Sequence, residues 1–138
     1  MSQRTFTIVK PDSVEKGNFG KIMARLEGEG FKVLAIRKLQ LSTRQAEGFY
    51  AVHKERPFFP DLVKYMTSGP VFVAALERAD AVPHLRSVMG ATDPAKADAG
   101  TIRKELGESI ERNAIHGSDS PENAAIEINF FFPTSELF

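Results

Sequence analysis

Three histidines and no cysteine confine nucleophilic chemistry in this chain to imidazole, hydroxyl, amine and carboxylate groups. Thiol catalysis, thiolate metal sites and disulfides are excluded. His53, His84 and His116 are widely spread and lack metal-ligand spacing. His53 and His84 fall on helical patterns and read as surface or boundary residues. His116 is different: it ends a short apolar run, precedes Gly117, and is followed by Ser118-Asp119-Ser120 at a helix start. Taken alone, that setting suits a structural histidine beside a capping run more readily than a nucleophile. Two glycine-rich stretches invite a phosphate-loop reading, and both fail. Gly17-Asn18-Phe19-Gly20-Lys21 has its glycines three apart and Ile22 where a Ser or Thr is required. Gly28-Glu29-Gly30 lies between a helix and a strand, the reverse of a dinucleotide-binding turn.

The elements that must carry these residues follow from periodicity. Arg4–Lys10 alternates Thr5, Thr7 and Val9 against Phe6 and Ile8, a strand that Pro11 stops with Lys10 at its end. Asn18 opens a helix with Phe19, Ile22, Met23 and Leu26 on one side, ended by Gly28 and Gly30. Phe31–Leu41 reads as a strand with Val33, Ala35, Leu39 and Leu41 on one face. Ser42 and Gln45 form a capping box, and the helix after it carries Ala46, Phe49, Tyr50 and His53. A short helix through Leu62–Met66 follows, then a buried strand, Val71–Leu76. Asp80 caps a helix that Gly90 closes. Residues 91–113 read as a long loop, of the kind usually functional. Asn113–His116 is a brief strand, and Ser120 or Asp119 caps a final helix with Pro121 at its first position. Stripped of added helices, the order is βαββαβ. That predicts an α+β, ferredoxin-like sandwich with a four-stranded antiparallel sheet and helices on one face, in a single domain spanning 1–138.

At 138 residues, with 42% hydrophobic and 26% charged side chains, the chain can bury a core without staples. Eighteen basic residues balance eighteen acidic ones, which argues against a strongly cationic nucleic-acid binder. The balance is uneven along the chain: residues 1–44 hold nine basic and four acidic side chains, residues 105–138 one and seven. No run is long and apolar enough for a membrane span and the start is no signal peptide, so a cytoplasmic location is expected.

The run Asn113-Ala114-Ile115-His116-Gly117-Ser118-Asp119-Ser120 resembles the active-site signature of the nucleoside diphosphate kinases, in a bacterial-type form. The resemblance covers essentially the whole chain. It includes Arg4-Thr5-Phe6 through Lys10-Pro11-Asp12, Tyr50 with Arg56-Pro57-Phe58-Phe59, and Ser68-Gly69-Pro70-Val71. It continues through Met89-Gly90-Ala91-Thr92-Asp93-Pro94 and Gly100-Thr101-Ile102-Arg103. It implies reversible transfer of the γ-phosphate of ATP or another triphosphate to nucleoside diphosphates, by a ping-pong mechanism through a pros-phosphohistidine at His116. Imidazole suits the task, being largely neutral and nucleophilic at cytosolic pH.

By the same resemblance, Lys10 contacts the transferred and adjacent phosphates and Tyr50 donates a hydroxyl near them. Arg86, Arg103 and Thr92 bind phosphate, Asn113 meets the sugar hydroxyls, and Phe58 stacks on the base. Ser118 and Glu127 hold the histidine ring, the ring nitrogen served being open. Mg²⁺ is expected to arrive on the nucleotide phosphates, with no direct protein ligand and Asp119 as a candidate through water. Ser13 and Lys104-Glu105-Leu106 depart from the family's usual pattern, away from these positions. A homo-oligomer, tetramer or hexamer, is expected, partly to cover Phe130-Phe131-Phe132 and Phe138. The competing RNA-binding reading of the same βαββαβ plan lacks its aromatic strand motif and its basic face. A non-catalytic relative acting as a scaffold would be expected to have lost the histidine or a phosphate ligand, and all are present.

Overall fold

The computed structural model describes residues 2–138; Met1, the first residue of the expected domain, lies outside the described residues. Strands β1 (Ser2–Val9), β2 (Lys32–Leu39), β3 (Val71–Ala79) and β4 (Ile115–Gly117) form one sheet in the order β2-β3-β1-β4. All neighbours are antiparallel, with Phe6 opposite Ala75 and Ile8 opposite His116. The helices are α1 (Pro11–Glu15), α2 (Phe19–Gly28), α3 (Thr43–Phe49) and α4 (Phe59–Met66), then α5 (Ala81–Met89), α6 (Ile102–Leu106) and α7 (Pro121–Phe131). With α2 and α5 as the two helices of the basic plan, this is the expected ferredoxin-like α+β fold. Among the described residues no helix is long and apolar enough to cross a membrane.

Helices cover both faces of the sheet, not one. Phe6, Ile8, Val73 and Ala75 pack under Tyr65 and Met66 of α4 and Ile128 and Phe131 of α7. On the opposite face Val9, Ala74 and Leu76 meet Ile22 and Leu26 of α2 and Leu85 and Met89 of α5. Thr5 and Thr7, which alternation suggests as the polar side of β1, are therefore fully buried. The single-face expectation fails because it sets aside the added helices as appendages, when α4 and α7 form the second layer.

Local differences have local causes. A bulge between Val33 and Ala35 reverses the facing of β2 midway, so Val33 packs with the α2 side while Ala35 and Leu39 join the other core. Asp80 starts α5 without a side-chain cap; it adopts a left-handed φ of 52°, and Gln3 Oε1 accepts the Val82 N–H at 2.8 Å instead. The long 91–113 connection contains α6 and a 3₁₀ turn at Pro94–Lys96. The capping box at Ser42 and Gln45 forms on both sides, and Ser120, not Asp119, caps α7.

Candidate active site

Two groups of side chains converge where β1 ends and β4 begins. Lys10 directly follows β1, and its N–H donates to Ala114 O at 2.9 Å, drawing the segment before β4 alongside. Lys10 is only 8% exposed; its ammonium donates to Asn113 Oδ1 at 2.7 Å, and Asn113 Nδ2 donates to Thr92 O at 3.0 Å. Lys10, Asn113 and Thr92 are thus one hydrogen-bonded chain. Burial first, and then the Arg103 guanidinium, push the Lys10 ammonium down to about 8, against the opposing charges of Asp12 and Glu111.

Arg103 projects from α6 with its guanidinium donating to Gly90 O at 3.1 Å and Ile115 O at 2.8 Å, while its buried Nε has no partner. Burial and the nearby Arg86 lower its pKa to about 10. Arg86, Thr92 and Arg103 line a cleft of about 390 Å³ together with Lys96, Gly90 and Thr101. Gly90 makes this cleft possible. A Cβ there would stand 2.5 Å from Thr101 Oγ1, at a φ of 88°, so only glycine lets the end of α5 touch the start of α6. Crowded cations of depressed pKa, with one guanidinium N–H unpaired, suit a polyanion.

The second group surrounds His116. As the partner of Ile8 in the sheet, its ring shares a face with Phe6 and lies 5.5 Å from the Phe49 ring and 6.3 Å from Tyr50. Glu127 on α7 places Oε1 3.0 Å from His116 Nε2. The same oxygen accepts the Ser118 hydroxyl at 2.7 Å, and Ser118 Oγ in turn accepts the Phe6 N–H at 3.2 Å. The His116 carbonyl accepts the Thr7 hydroxyl at 2.7 Å. An ionised carboxylate only accepts, so Nε2 carries the proton and the lone pair is on Nδ1. The question the sequence leaves open, which nitrogen Glu127 meets, has its answer in Nε2. Tyr50 is buried with its hydroxyl unpartnered, and burial together with the Glu127 charge raises its pKa.

Phe58 stands apart from both groups, half-exposed at the start of α4, with its ring 5.5 Å from His53. His53, a surface or boundary residue by its helical pattern, is half-buried here and backs this aromatic. The motif resemblance gave no role to Asp12, which is 1% exposed and accepts the Ala114 N–H. Its place beside Lys10 was the available signal. The expected strand at Asn113 begins two residues later, because Ala114 has a φ of 75° and cannot extend the ladder. Among the described residues no group of three or more His, Asp or Glu side chains could cage a metal.

Residues 3–137 match the family model described as "Nucleoside diphosphate kinase". A nucleoside diphosphate kinase of Anaeromyxobacter sp. (strain K) is 63% identical over 135 residues, covering 98% of this chain and 92% of the relative. One from Geotalea daltonii is 58% identical, covering 98% of each. Among solved structures, the Aquifex aeolicus nucleoside diphosphate kinase superposes with a TM-score of 0.98 at 45% identity, over the whole of both chains. The Halobacterium salinarum enzyme in complex with CDP gives 0.95 at 42% identity, covering all of this chain and 92% of that one.

Proposed function

The chain belongs to the nucleoside diphosphate kinase family, and from that membership we propose that Nδ1 of His116 carries the γ-phosphoryl group between donor triphosphate and acceptor diphosphate. The observation that carries this reading is the Glu127 contact to Nε2, which leaves Nδ1 as the nucleophilic nitrogen. Nδ1 attacks the γ-phosphorus as the bond to the β–γ bridging oxygen breaks, and the diphosphate leaves with that electron pair. The imidazole becomes cationic as it bonds phosphorus, and the Glu127 carboxylate stabilises that charge through the Nε2 proton. A terminal phosphate oxygen of the acceptor then attacks phosphorus, the P–N bond breaks, and neutral imidazole returns.

Lys10, Arg86, Arg103 and Thr92 would hold the phosphates, and Tyr50 would supply a hydroxyl donor beside the transferred group. Asn113 would meet the sugar, and Phe58 would stack on the base without reading its edge. CDP on the Halobacterium salinarum relative supports a nucleoside diphosphate as ligand here. With no carboxylate cluster among the described residues to hold it, a magnesium ion would come with the nucleotide phosphates and would neutralise their charge. Phe131 and Phe132, expected to need covering by a partner chain, are buried in this chain's own core; the exposed apolar side chains Ile36, Ile126, Phe130 and Phe138 support a homo-oligomer, and a cytoplasmic location accords with the substrate class.

Incubation with γ-labelled ATP and no acceptor tests the reading. The label should be acid-labile and alkali-stable, and His116→Gln should abolish it while leaving the circular dichroism spectrum unchanged. Acid-stable label on that variant would overturn it.

A further inference from the structure

We propose that Asp12 is a positioning residue for this site: its carboxylate fixes a strained turn at Ala114 and so holds the Asn113 side chain on Lys10. The inference rests on the nucleotide-binding role given above to Asn113. Asp12 Oδ2 accepts the Ala114 N–H at 3.1 Å, and Oδ1 accepts the Tyr65 hydroxyl. The same Tyr65 oxygen accepts the Asp12 N–H at 3.2 Å. The Arg112 guanidinium lies 5.4 Å over the Tyr65 ring and bonds Glu108, which also pairs with Lys16 just beyond α1. The carboxylate is therefore locked at both oxygens before any ligand arrives.

What it locks is an uncommon conformation. Ile115 N–H donates to Asn113 O at 2.9 Å, a bond between residues two apart, and the residue between them, Ala114, has a φ of 75°. That is the rare, strained form of γ-turn, here at a residue with a Cβ. Ala114 is gripped on both sides by one short run: its N–H by Asp12 and its C=O by the Lys10 N–H. The turn gives the residue before it and the strand after it different directions. It aims Asn113 toward Lys10 and Thr92, and lets Ile115 and His116 enter the sheet opposite Val9 and Ile8. Without the Asp12 acceptor, a buried N–H loses its partner and the alanine has reason to relax to negative φ.

The test compares wild type, D12A, D12N, Y65F and the double variant D12A/A114G. The readout is the ratio of kcat/KM for a ribonucleoside diphosphate to that for its 2′,3′-dideoxy analogue, alongside acid-labile labelling of His116 and the amide proton shift of Ala114. D12A should lower the ratio by about tenfold, the shift expected when one strained residue is released, while still labelling at His116. D12N should stay near wild type, since its oxygen accepts the Ala114 N–H and its amide donates to Tyr65. Y65F should fall partway, and A114G should restore part of the loss in D12A because glycine adopts this φ unaided. An unchanged ratio in D12A, or no recovery in the double variant, would overturn the proposal. If D12A does not fold, a wild-type ratio and Ala114 shift in Y65F would overturn it. The Ala114 shift is read without turnover, so a wild-type chain that fails to label strikes the phosphohistidine reading and leaves the turn to be judged by that shift.

Discussion

At Lys10, burial and Arg103 lower the pKa to about 8, within the range where the enzyme would work. In the proposed mechanism phosphate binding needs the ammonium, which is present below that value and lost above it. For the free enzyme, kcat/KM should fall as pH rises through about 8, and Lys10→Arg should move that limb beyond pH 10 whatever it does to the plateau. Stability should run the other way. The unfolded chain holds this proton up to the ordinary lysine value of 10.5, so between about pH 8 and 10.5 it binds more protons than the folded one. The fold should gain stability over that window. Urea midpoints of wild type and Lys10→Met at several pH values would show the gap, and a pH-independent gap would refute the shift. At the histidine, Glu127→Gln removes the charge that accepts the Nε2 proton while nearly keeping its shape. A charge-assisted hydrogen bond is worth roughly 1.5–3 kcal/mol. Single-turnover labelling of His116 should therefore slow by about tenfold or more, with KM for the donor little changed, since Glu127 touches no phosphate in this mechanism.

Among the elements, the joint between α5 and α6 is the one that a single methyl group would break. Gly90→Ala puts a Cβ 2.5 Å from Thr101 Oγ1 at a positive φ, and Gly90 O is an acceptor for Arg103. The variant should lose about 1–3 kcal/mol from a backbone of positive φ and extended ψ that essentially only glycine adopts, and more from the clash, and it should bind nucleotide more weakly because Arg103 moves. Urea denaturation matching wild type would dispose of this account. Local chemistry is what the sequence made legible. The Ser42–Gln45 box, the Ser120 cap and the Pro121 start are decided within four residues, and each is found where expected. The bulge at Val33/Ala35, the covered second face and the Ala114 turn depend on partners far along the chain. Asp12 and Ala114 are 102 positions apart, and no window of periodicity spans that. The candidate site residues come from motif resemblance, whereas the Glu127 oxygen shared by His116 and Ser118 lies eleven and nine positions from them and follows only from the packing of α7 on the sheet.

For the whole molecule, β2 is a sheet edge eight residues long with Ile36 43% exposed, the kind of edge that another chain can cover. In the proposed homo-oligomer, Ile36→Lys should shift the distribution toward smaller species in sedimentation velocity; an unaltered profile would move the contact elsewhere. The other edge has a consequence in time. β4 is three residues long; it pairs with Thr7, Ile8 and Val9 of β1, Ser118 just beyond it bonds Phe6, and Thr7 and His116 lie 109 positions apart. During synthesis at about 5–20 residues per second, β1 waits roughly 5–20 s for that partner. Once β3 is complete at Ala79, the nascent chain can offer at most β2-β3-β1 until β4 arrives, with an apolar central strand serving as an open edge. A ribosome stalled before codon 115 would hold out a template for aggregation, so the chain's need for chaperones should peak late in translation and end when His116 docks.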